Sequence, residues 1–379
     1  MMTAENTLKW LRFNLFAKPF DTALTLAVVP MMIWAVYSFL YWVLAVADWT
    51  VIQTSAKVLM TGVFPADQLW RAWVAAGTLG VIFGLACGTA MPINRKRMII
   101  ALLGAVAIIL LAAGVSTEAA VATVVVTVAF GAVWIAASRV SSLRAHTGKI
   151  STALLGLVVI VLTPVGPSNW GGLLLSVLLT IFSAALTIPI GILLAFGRQS
   201  KVGSIRTLST GYIELMRAVP LILIVYWIWI SLPLLLPSWQ VPDVIRGLFG
   251  FVVFYSAYAA EYIRSGLQAV PRGQVEAAEA LGFSDSDVKR LIILPQAMRV
   301  ALPGLVGNVL DIFNYAPLVF IIGLTDFLRA GQMILANPQN SGQTYEIYVF
   351  LFVAYFAIGS VITFMARRLE QHLGKGAQK

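Results

Sequence analysis

The sequence predicts an all-α polytopic membrane protein with about ten transmembrane helices. Its 379 residues are 60% hydrophobic and only 11% charged, whereas about a quarter of the residues in a soluble domain are charged. The charges lie between apolar runs of about 18 residues or more, which are long enough to cross the membrane as helices. The runs are continuous, which excludes the alternating segments of about 10 residues that build transmembrane barrels.

Ten apolar segments are candidate spans. The fifth is short and ends in the bend "TPVGPSNWGG", and the ninth contains Pro303, Pro317 and several glycines. In chain order, the spans are expected at about 21–47, 72–92, 98–117, 119–137, 150–166, 171–196, 207–236, 244–268, 296–322 and 345–366.

The basic residues predict the orientation of the chain, because cytoplasmic loops of membrane proteins carry an excess of Lys and Arg. With the N-terminus inside, all but four of the 26 Lys and Arg residues fall in cytoplasmic segments. The four outside are Lys57, Arg71, Arg246 and Arg329. We therefore expect both termini to be cytoplasmic. We interpret the net charge of +10 as the excess of Lys and Arg in cytoplasmic loops, which orients the chain in the lipid bilayer. We therefore expect no nucleic-acid partner.

The first span has an alternative interpretation as a secretory signal peptide. Lys9 and Lys18 precede its apolar run, and "AVAD" at 45–48 resembles a cleavage site. The apolar run has about 25 residues, however, and the core of a signal peptide has about 7–15. This length favours an uncleaved anchor.

The sequence offers no metal or thiol chemistry. The single cysteine, Cys87, lies in an apolar run and can form neither an internal disulfide nor a cysteine-based zinc site. His146 and His372 lie far apart among basic residues, so they indicate no metal or catalytic cluster.

The chain divides into two parts at the Pro/Gly-rich bend near Pro164–Gly172. Residues 1–166 form an extension of five spans with short loops. Residues 171–373 contain a charged insert, an external segment and polar residues at membrane depth. Residues 374–379 form a cytoplasmic tail.

The charged insert, "QVEAAEALGFSDSDVKRLIILPQ" at 274–296, predicts two short cytoplasmic helices. Residues 272–281 are mostly good helix formers, and Gly282 suits the left-handed turn after a helix. Ser284 is expected to cap a second helix, which Leu294 and Pro295 should end because proline disfavours continuation. The small side chains of the first helix fit a groove of a partner protein; the alternative is a solvated loop helix that contacts only its own membrane domain.

The insert resembles the EAA loop of permease subunits of binding-protein-dependent ABC importers. The residues that carry this resemblance are Glu276, Ala277, Ala278, Gly282, Ile292, Leu294 and Pro295. Further segments, "YIELMRAVPLILIVYW", "AEYIRSGLQAVPRGQ", "ILPQAMRVALP" and "GLTDFLRAGQMI", are similar to the histidine/glutamine-type amino-acid permeases. The length of the N-terminal extension resembles the larger permease of general L-amino-acid ABC transporters.

The resemblance implies a five-helix permease core at 171–373 with a cytoplasmic coupling helix. It implies that Glu276, Ala277, Ala278, Gly282, Leu294 and Pro295 contact a cytoplasmic ATPase dimer. It also implies a second, non-identical permease subunit, a periplasmic amino-acid-binding protein and a location in the bacterial inner membrane. The chain has no G-x4-G-K-[ST] phosphate loop. We therefore expect that it is not an enzyme, that it binds no cofactor, and that ATP and Mg are used by the partner ATPase.

Candidate residues of the substrate path are polar residues of the ninth span, together with Arg217. A carboxylate at membrane depth usually faces a cavity or a partner, so Asp311 is a candidate to bind the ammonium of an amino acid. The alternatives are a packing hydrogen bond or an ion pair with Arg217. The candidates are Arg217, Asn308, Asp311, Asn314 and Tyr315.

Two motifs depart from the family pattern. Where amino-acid permeases often have K-D-T-S-L, this chain has Asn314-Tyr315-Ala316-Pro317-Leu318, and R-G-T-P is replaced by Arg217-Ala218-Val219-Pro220. A partner permease is a candidate to supply the missing basic and hydroxyl groups. Glu261 and Arg264 are expected to form a local pair, with a role in gating as an alternative.

The sequence leaves two other functions open. One is an ABC importer permease for another small polar solute, and the other is a secondary transporter that acts alone. A secondary carrier with inverted repeats would have two similar halves, and no such repeat is visible here.

Overall fold

The computed structural model describes residues 6, 13–91 and 94–374. Over these ranges the chain forms helices and no strand, and Gly172 and Asp326 make one isolated bridge. This confirms the predicted all-α class. The chain separates into two compact units, Met1–Thr50 and Val51–Lys379.

The first unit contains one long apolar helix, α1, at Pro19–Tyr41. Pro19 occupies its first turn, where the missing N–H of proline costs no helical hydrogen bond. A π-helical turn, Trp42–Val46, extends the helix. The helical segment ends at Val46. Just beyond it, the indole Nε1 of Trp49 donates to the carbonyl of Val43 over 2.9 Å.

The second unit begins with short helices and continues into long apolar ones. Side-chain caps begin two of these helices, since Asn94 accepts from the backbone N–H of Arg97 and Ser116 from that of Ala119. The helices up to residue 162 are α2 Thr50–Thr54, α3 Ala56–Thr61, α4 Leu69–Ala90, α5 Arg95–Ala113, α6 Thr117–Arg139 and α7 Ser141–Leu162.

In the remainder of the chain, a central helix, α11 (Asp243–Gln268), has buried residues on most of its surface. Four helices pack around it: α8 (Gly172–Arg198), α9 (Gly203–Ala218), α10 (Leu221–Leu235) and α13 (Leu294–Tyr315). Close approach of α8 to α11 depends on Gly191, where a Cβ would come within 2.7 Å of the Ala259 side chain. The other helices of this part are α12 Arg272–Ala280, α14 Phe327–Leu335 and α15 Thr344–Gly374.

Eight described helices are long and apolar enough to cross a membrane, in agreement with most of the predicted spans. The third predicted span corresponds to α5, whose apolar part, Arg97–Ala113, is shorter. The seventh, predicted as one helix over 207–236, is instead the pair α9 and α10, bent by 110°. Val219 is extended before Pro220, because proline disfavours helical geometry in the residue that precedes it.

One hydrophobic core connects the N-terminal extension with the C-terminal helices. Phe64 and Ala75 from the extension lie in the same buried cluster as Val158, Leu175 and Phe251. Packing therefore continues across the predicted boundary at 166–171.

Candidate functional site

The first candidate site is the charged insert, where helix α12 ends in a glycine turn. Gly282 has a φ of +82°, as predicted. Its N–H donates to the carbonyl of Glu279 over 2.9 Å, and the N–H of Phe283 donates to the carbonyl of Ala278 over 3.1 Å. These two bonds form a Schellman motif, which satisfies the last carbonyls of the helix and turns the chain sharply.

The insert presents most of its residues to the outside. Glu276, Ala277 and Gly282 are exposed, whereas Ala278 is buried against the protein. Two large apolar side chains are also exposed beside the turn, Leu281 at 78% and Phe283 at 43%. This combination of a small-residue helix and adjacent exposed apolar groups is suited to docking on another protein.

The second helix of the insert does not end at Leu294–Pro295, which corrects the sequence prediction. Ser284 caps its start, as expected, by accepting from the N–H of Asp287 over 3.2 Å. The backbone then remains helical from Asp285 to Ile322, including a π-helical stretch at Val288–Ile293. Pro295 lies in the first turn of α13, where the wider π turn accommodates its missing N–H. Leu294 is half-buried and Pro295 is exposed.

A side-chain bond ties the two arms of the insert together. The amide Nε2 of Gln296 donates to the side-chain oxygen of Gln274 over 2.6 Å and to the carbonyl of Ile292 over 3.0 Å. The start of helix α12 is thus held against the start of α13. The two arms of the insert are therefore joined by the glycine turn at one end and by this side-chain bond at the other.

The second candidate site is the polar face of α13. Asn308 is buried and donates from Nδ2 to the carbonyl of Tyr255 over 3.2 Å, so its side chain joins α13 to α11. Asp311, Asn314 and Tyr315 are exposed. Their placement leaves a carboxylate, an amide and a phenol available on one helix.

Tyrosines on α11 connect this face with Arg217. Tyr255, Tyr258 and Tyr262 lie at intervals of three and four residues, on one side of the helix. The Arg217 guanidinium lies 5.6 Å from the centre of the Tyr258 ring. Asp311 is an electrostatic neighbour of both Tyr255 and Tyr262. The three tyrosines, of which Tyr255 is buried, form a strip of phenol rings, and Tyr262 interacts electrostatically with both the Arg217 guanidinium and the Asp311 carboxylate.

Asn314 also lines an open groove between α13 and α15. The groove has two neighbouring parts with volumes of about 550 and 380 Å³. Aromatic side chains from α15 form much of its wall, and Arg367 lies at one end. The lining residues shared by the two parts are Asn314, Phe352 and Tyr355.

A cluster of five charged side chains joins the ends of α8, α9 and α11. Its members are Arg198, Glu214, Arg217, Glu261 and Arg264, and we call them the Glu261 cluster. The Glu261 carboxylate contacts Arg198 at 2.6 Å, Arg264 at 2.9 Å and Arg217 at 3.4 Å. The expected Glu261–Arg264 pair is therefore formed, and Arg217 pairs with Glu261 rather than with Asp311.

Sequence reasoning missed Arg198 and Glu214 as members of this cluster. Glu214 pairs with Arg198 at 2.9 Å. Arg198 and Glu261 are 63 residues apart, so no local spacing rule brings them together. The available signal was that charges of opposite sign lie near the ends of neighbouring apolar helices.

Among the described residues, no group of three His, Cys, Asp or Glu side chains is placed to hold a metal ion. The polar atoms of both candidate sites are instead hydroxyl, amide, carboxylate and guanidinium groups.

Comparison with known proteins identifies the family. Residues 187–375 match the family described as "Binding-protein-dependent transport system inner membrane component". The glutamate/glutamine/aspartate/asparagine transport system permease protein BztC of Rhodobacter capsulatus is 30% identical over 407 residues, with 97% of this chain and 93% of that protein aligned. The chain belongs to this family. As the permease of its transport system, it is not the catalytic subunit, and the predicted resemblance is confirmed.

Other relatives of this permease cover about half of the chain. The inner membrane amino-acid ABC transporter permease protein YhdY of Escherichia coli K12 is 39% identical over 208 residues, which are 55% of this chain and 56% of that protein. A crystal structure of an amino acid ABC transporter with histidines is 27% identical, covers 53% of this chain and 92% of its own, and has a TM-score of 0.48.

Proposed function

We propose that this permease translocates amino acids in an ATP-driven, binding-protein-dependent importer. The observation that carries the proposal is the exposed helix α12 with its glycine turn, in a chain of this transport family. The names of the relatives, which specify amino acids, support the substrate class.

Helix α12 is the proposed contact with a cytoplasmic ATPase dimer. Glu276 and Ala277 are exposed on the helix, and Gly282 allows the turn that presents Leu281 and Phe283 beside them. Apolar groups surrounded by charge are common at transient protein interfaces. Ala278, Leu294 and Pro295 support this surface from behind or at its edge. ATP and Mg belong to the ATPase in this proposal, and the permease binds no cofactor.

The strip between Arg217 and Asp311 is the proposed part of the substrate path. An amino acid carries a carboxylate and an ammonium, and the strip offers a guanidinium and a carboxylate with phenol groups between them. Charge-assisted hydrogen bonds to both ends favour a zwitterion over a neutral solute. Asn314 and Tyr315 extend this face along α13, while Asn308 holds the helix in place.

The remaining partners follow from the same proposal. A second, non-identical permease completes the pathway, and a periplasmic amino-acid-binding protein delivers the solute. The permease lies in the bacterial inner membrane with both termini in the cytoplasm, as the distribution of Lys and Arg supports.

Reconstitution with the ATPase, the second permease and the binding protein tests the function. Wild-type vesicles should accumulate a radiolabelled amino acid only when ATP is present on the ATPase side. Gly282→Asp should abolish this uptake, because a side chain at a φ of +82° strains the turn. Gly273→Asp is the matched control, since it adds the same charge to the same helix in open space, and it should retain uptake.

Four outcomes would contradict the proposal. Uptake by the permease alone would indicate a secondary transporter. Full activity of Gly282→Asp would remove the docking role of α12. Labelling of Lys289 from the outside of sealed, oriented vesicles would reverse the topology. Efficient competition by an uncharged polar solute, and none by amino acids, would indicate a different cargo.

The same vesicles test the substrate strip. Asp311→Asn keeps the size of the side chain but removes the charge proposed to hold the ammonium. We expect the KM for uptake to rise about tenfold, as for the loss of one charge-assisted contact, while ATP hydrolysis stays unchanged. An unchanged KM would show that Asp311 does not line the path.

A further inference from the structure

The Glu261 carboxylate joins three helices through one side chain. Arg198 Nη1 donates to Oε1 of Glu261, while Arg264 and Arg217 both lie against Oε2. The Glu261 side chain is only 15% exposed, so water screens these contacts less than those of a surface ion pair. Of its three partners, Arg198 belongs to α8, Arg217 to α9 and Arg264 to α11 itself.

These three contacts lie at the points where the helices change direction. Arg198 is the last residue of α8, and Arg217 lies three residues before Pro220, at the 110° bend between α9 and α10. Glu261 is in the last turns of α11, and α12 begins only four residues after α11 ends. One carboxylate thus links the helix that leads into α12 to the end of α8 and to the last turn of α9.

The charge of Glu261 matters because three guanidinium groups surround it. Glu214 also pairs with Arg198, but its side chain is 59% exposed. Without the charge on Glu261, Arg217 and Arg264 would lose their only carboxylate partner in the cluster, and the cations would repel one another. The end of α9 near Pro220 would then lose its ionic link to α11.

Helix α9 has a second attachment that does not depend on Glu261. The Tyr212 hydroxyl donates to the carbonyl of Val253 on α11 over 2.6 Å, and Ile213 is fully buried. Neutralising Glu261 therefore leaves α9 docked at its middle while its last turn loses its ion pair. This separation makes the ionic link testable apart from folding.

We propose that Glu261 is a positioning residue through which a displacement of α12 reaches the bend between α9 and α10. The inference rests on the proposed ATP-driven function. The carboxylate moves with α11, and its ion pairs draw the ends of α8 and α9 with it. The charge of Glu261 therefore sets how many solute molecules are moved for each ATP hydrolysed.

The test measures uptake and ATP hydrolysis together in vesicles that contain the complete transporter. For Glu261→Gln, uptake per ATP should fall about tenfold, within the range of ordinary coupling effects, while hydrolysis remains close to the wild-type rate. Glu261→Asp should restore part of the ratio because it keeps the charge. Asp243→Asn is the matched control, because Asp243 pairs with Arg246 at 2.7 Å at the other end of α11. Removing the charge of Asp243 should leave uptake per ATP unchanged.

A double-mutant cycle identifies the partner. Arg198→Gln alone should also lower uptake per ATP, and the combination with Glu261→Gln should be no worse than Glu261→Gln alone, because both changes remove one link. If Glu261→Gln does not assemble, Arg198→Gln carries the same test.

The outcome that overturns the proposal is a parallel fall of uptake and hydrolysis, or an unchanged ratio, in Glu261→Gln. Either would leave Glu261 with a structural role only. Absence of ATP-dependent uptake in the wild-type vesicles would instead contradict the proposed function itself.

Discussion

Asp326 is a fully buried carboxylate at the start of α14. Its two oxygens accept from the N–H groups of Leu328 and Arg329 over 2.9 and 3.0 Å, which caps the helix. It lies beyond Ile322, the end of the preceding span. Burial raises the pKa of its carboxyl to about 6, although the backbone hydrogen bonds act in the opposite direction.

This raised pKa predicts that the folded permease gains stability on mild acidification. Between about pH 4 and 6 the native state holds a proton at Asp326 that the unfolded chain releases, so stability is lost as pH rises through that window. The shift corresponds to about 3 kcal/mol. In detergent, the unfolding temperature of the wild type should rise relative to Asp326→Asn between pH 7 and 4. A constant difference between the two proteins would contradict the assignment.

Residues with local roles were the most predictable from sequence. Gly282 and Ser284 were expected at a turn and a cap because both roles depend on neighbours within a few positions. The contacts of Asn308 with Tyr255, and of Glu261 with Arg198, join residues 53 and 63 positions apart. Such contacts depend on how distant helices pack together, and this cannot be inferred from residue spacing in a single sequence.

At the scale of helices, proline explains both differences from the sequence prediction. Pro220 breaks an apolar segment into two helices. Hydropathy alone does not detect this break, because one proline hardly changes the average hydropathy of the segment. Pro295, which was expected to end a helix, lies in the first turn of the next one. The same residue type thus breaks one helix and is accommodated in another, according to the turn on which it falls.

At the scale of the whole molecule, the N-terminal extension and the C-terminal helices of the second unit share a core. The predicted boundary at 166–171 was based on Pro and Gly content, which marks a change of chain direction. It does not mark the limit of packing, because Phe64 and Leu162 lie before the bend, and Leu175 and Phe251 after it, in one buried cluster. A bend rich in Pro and Gly is therefore a poor guide to where a core ends.

This shared core predicts that the extension stabilises the permease region. Phe64 has no exposed surface, whereas Phe249 on α11 is 48% exposed. Phe64→Ala should lower the free energy of unfolding by about 3–5 kcal/mol, as for other buried aromatic truncations. Phe249→Ala should have a much smaller effect. Thermal unfolding of the purified variants in detergent measures the loss of stability in each. Equal losses in Phe64→Ala and Phe249→Ala would contradict a stabilising role for the extension.

The helical run Asp285–Ile322 has one further consequence. Its 38 residues include the π-helical stretch Val288–Ile293, Pro303 inside α13 and a 3-10 segment at Ala316–Ile322. Long helices bend mainly at prolines and at such changes of helix type. We therefore expect a displacement of the insert to change the tilt of α13 about Pro303 as well as its rotation, so that Asn314 and Tyr315 move by a different amount from the insert itself.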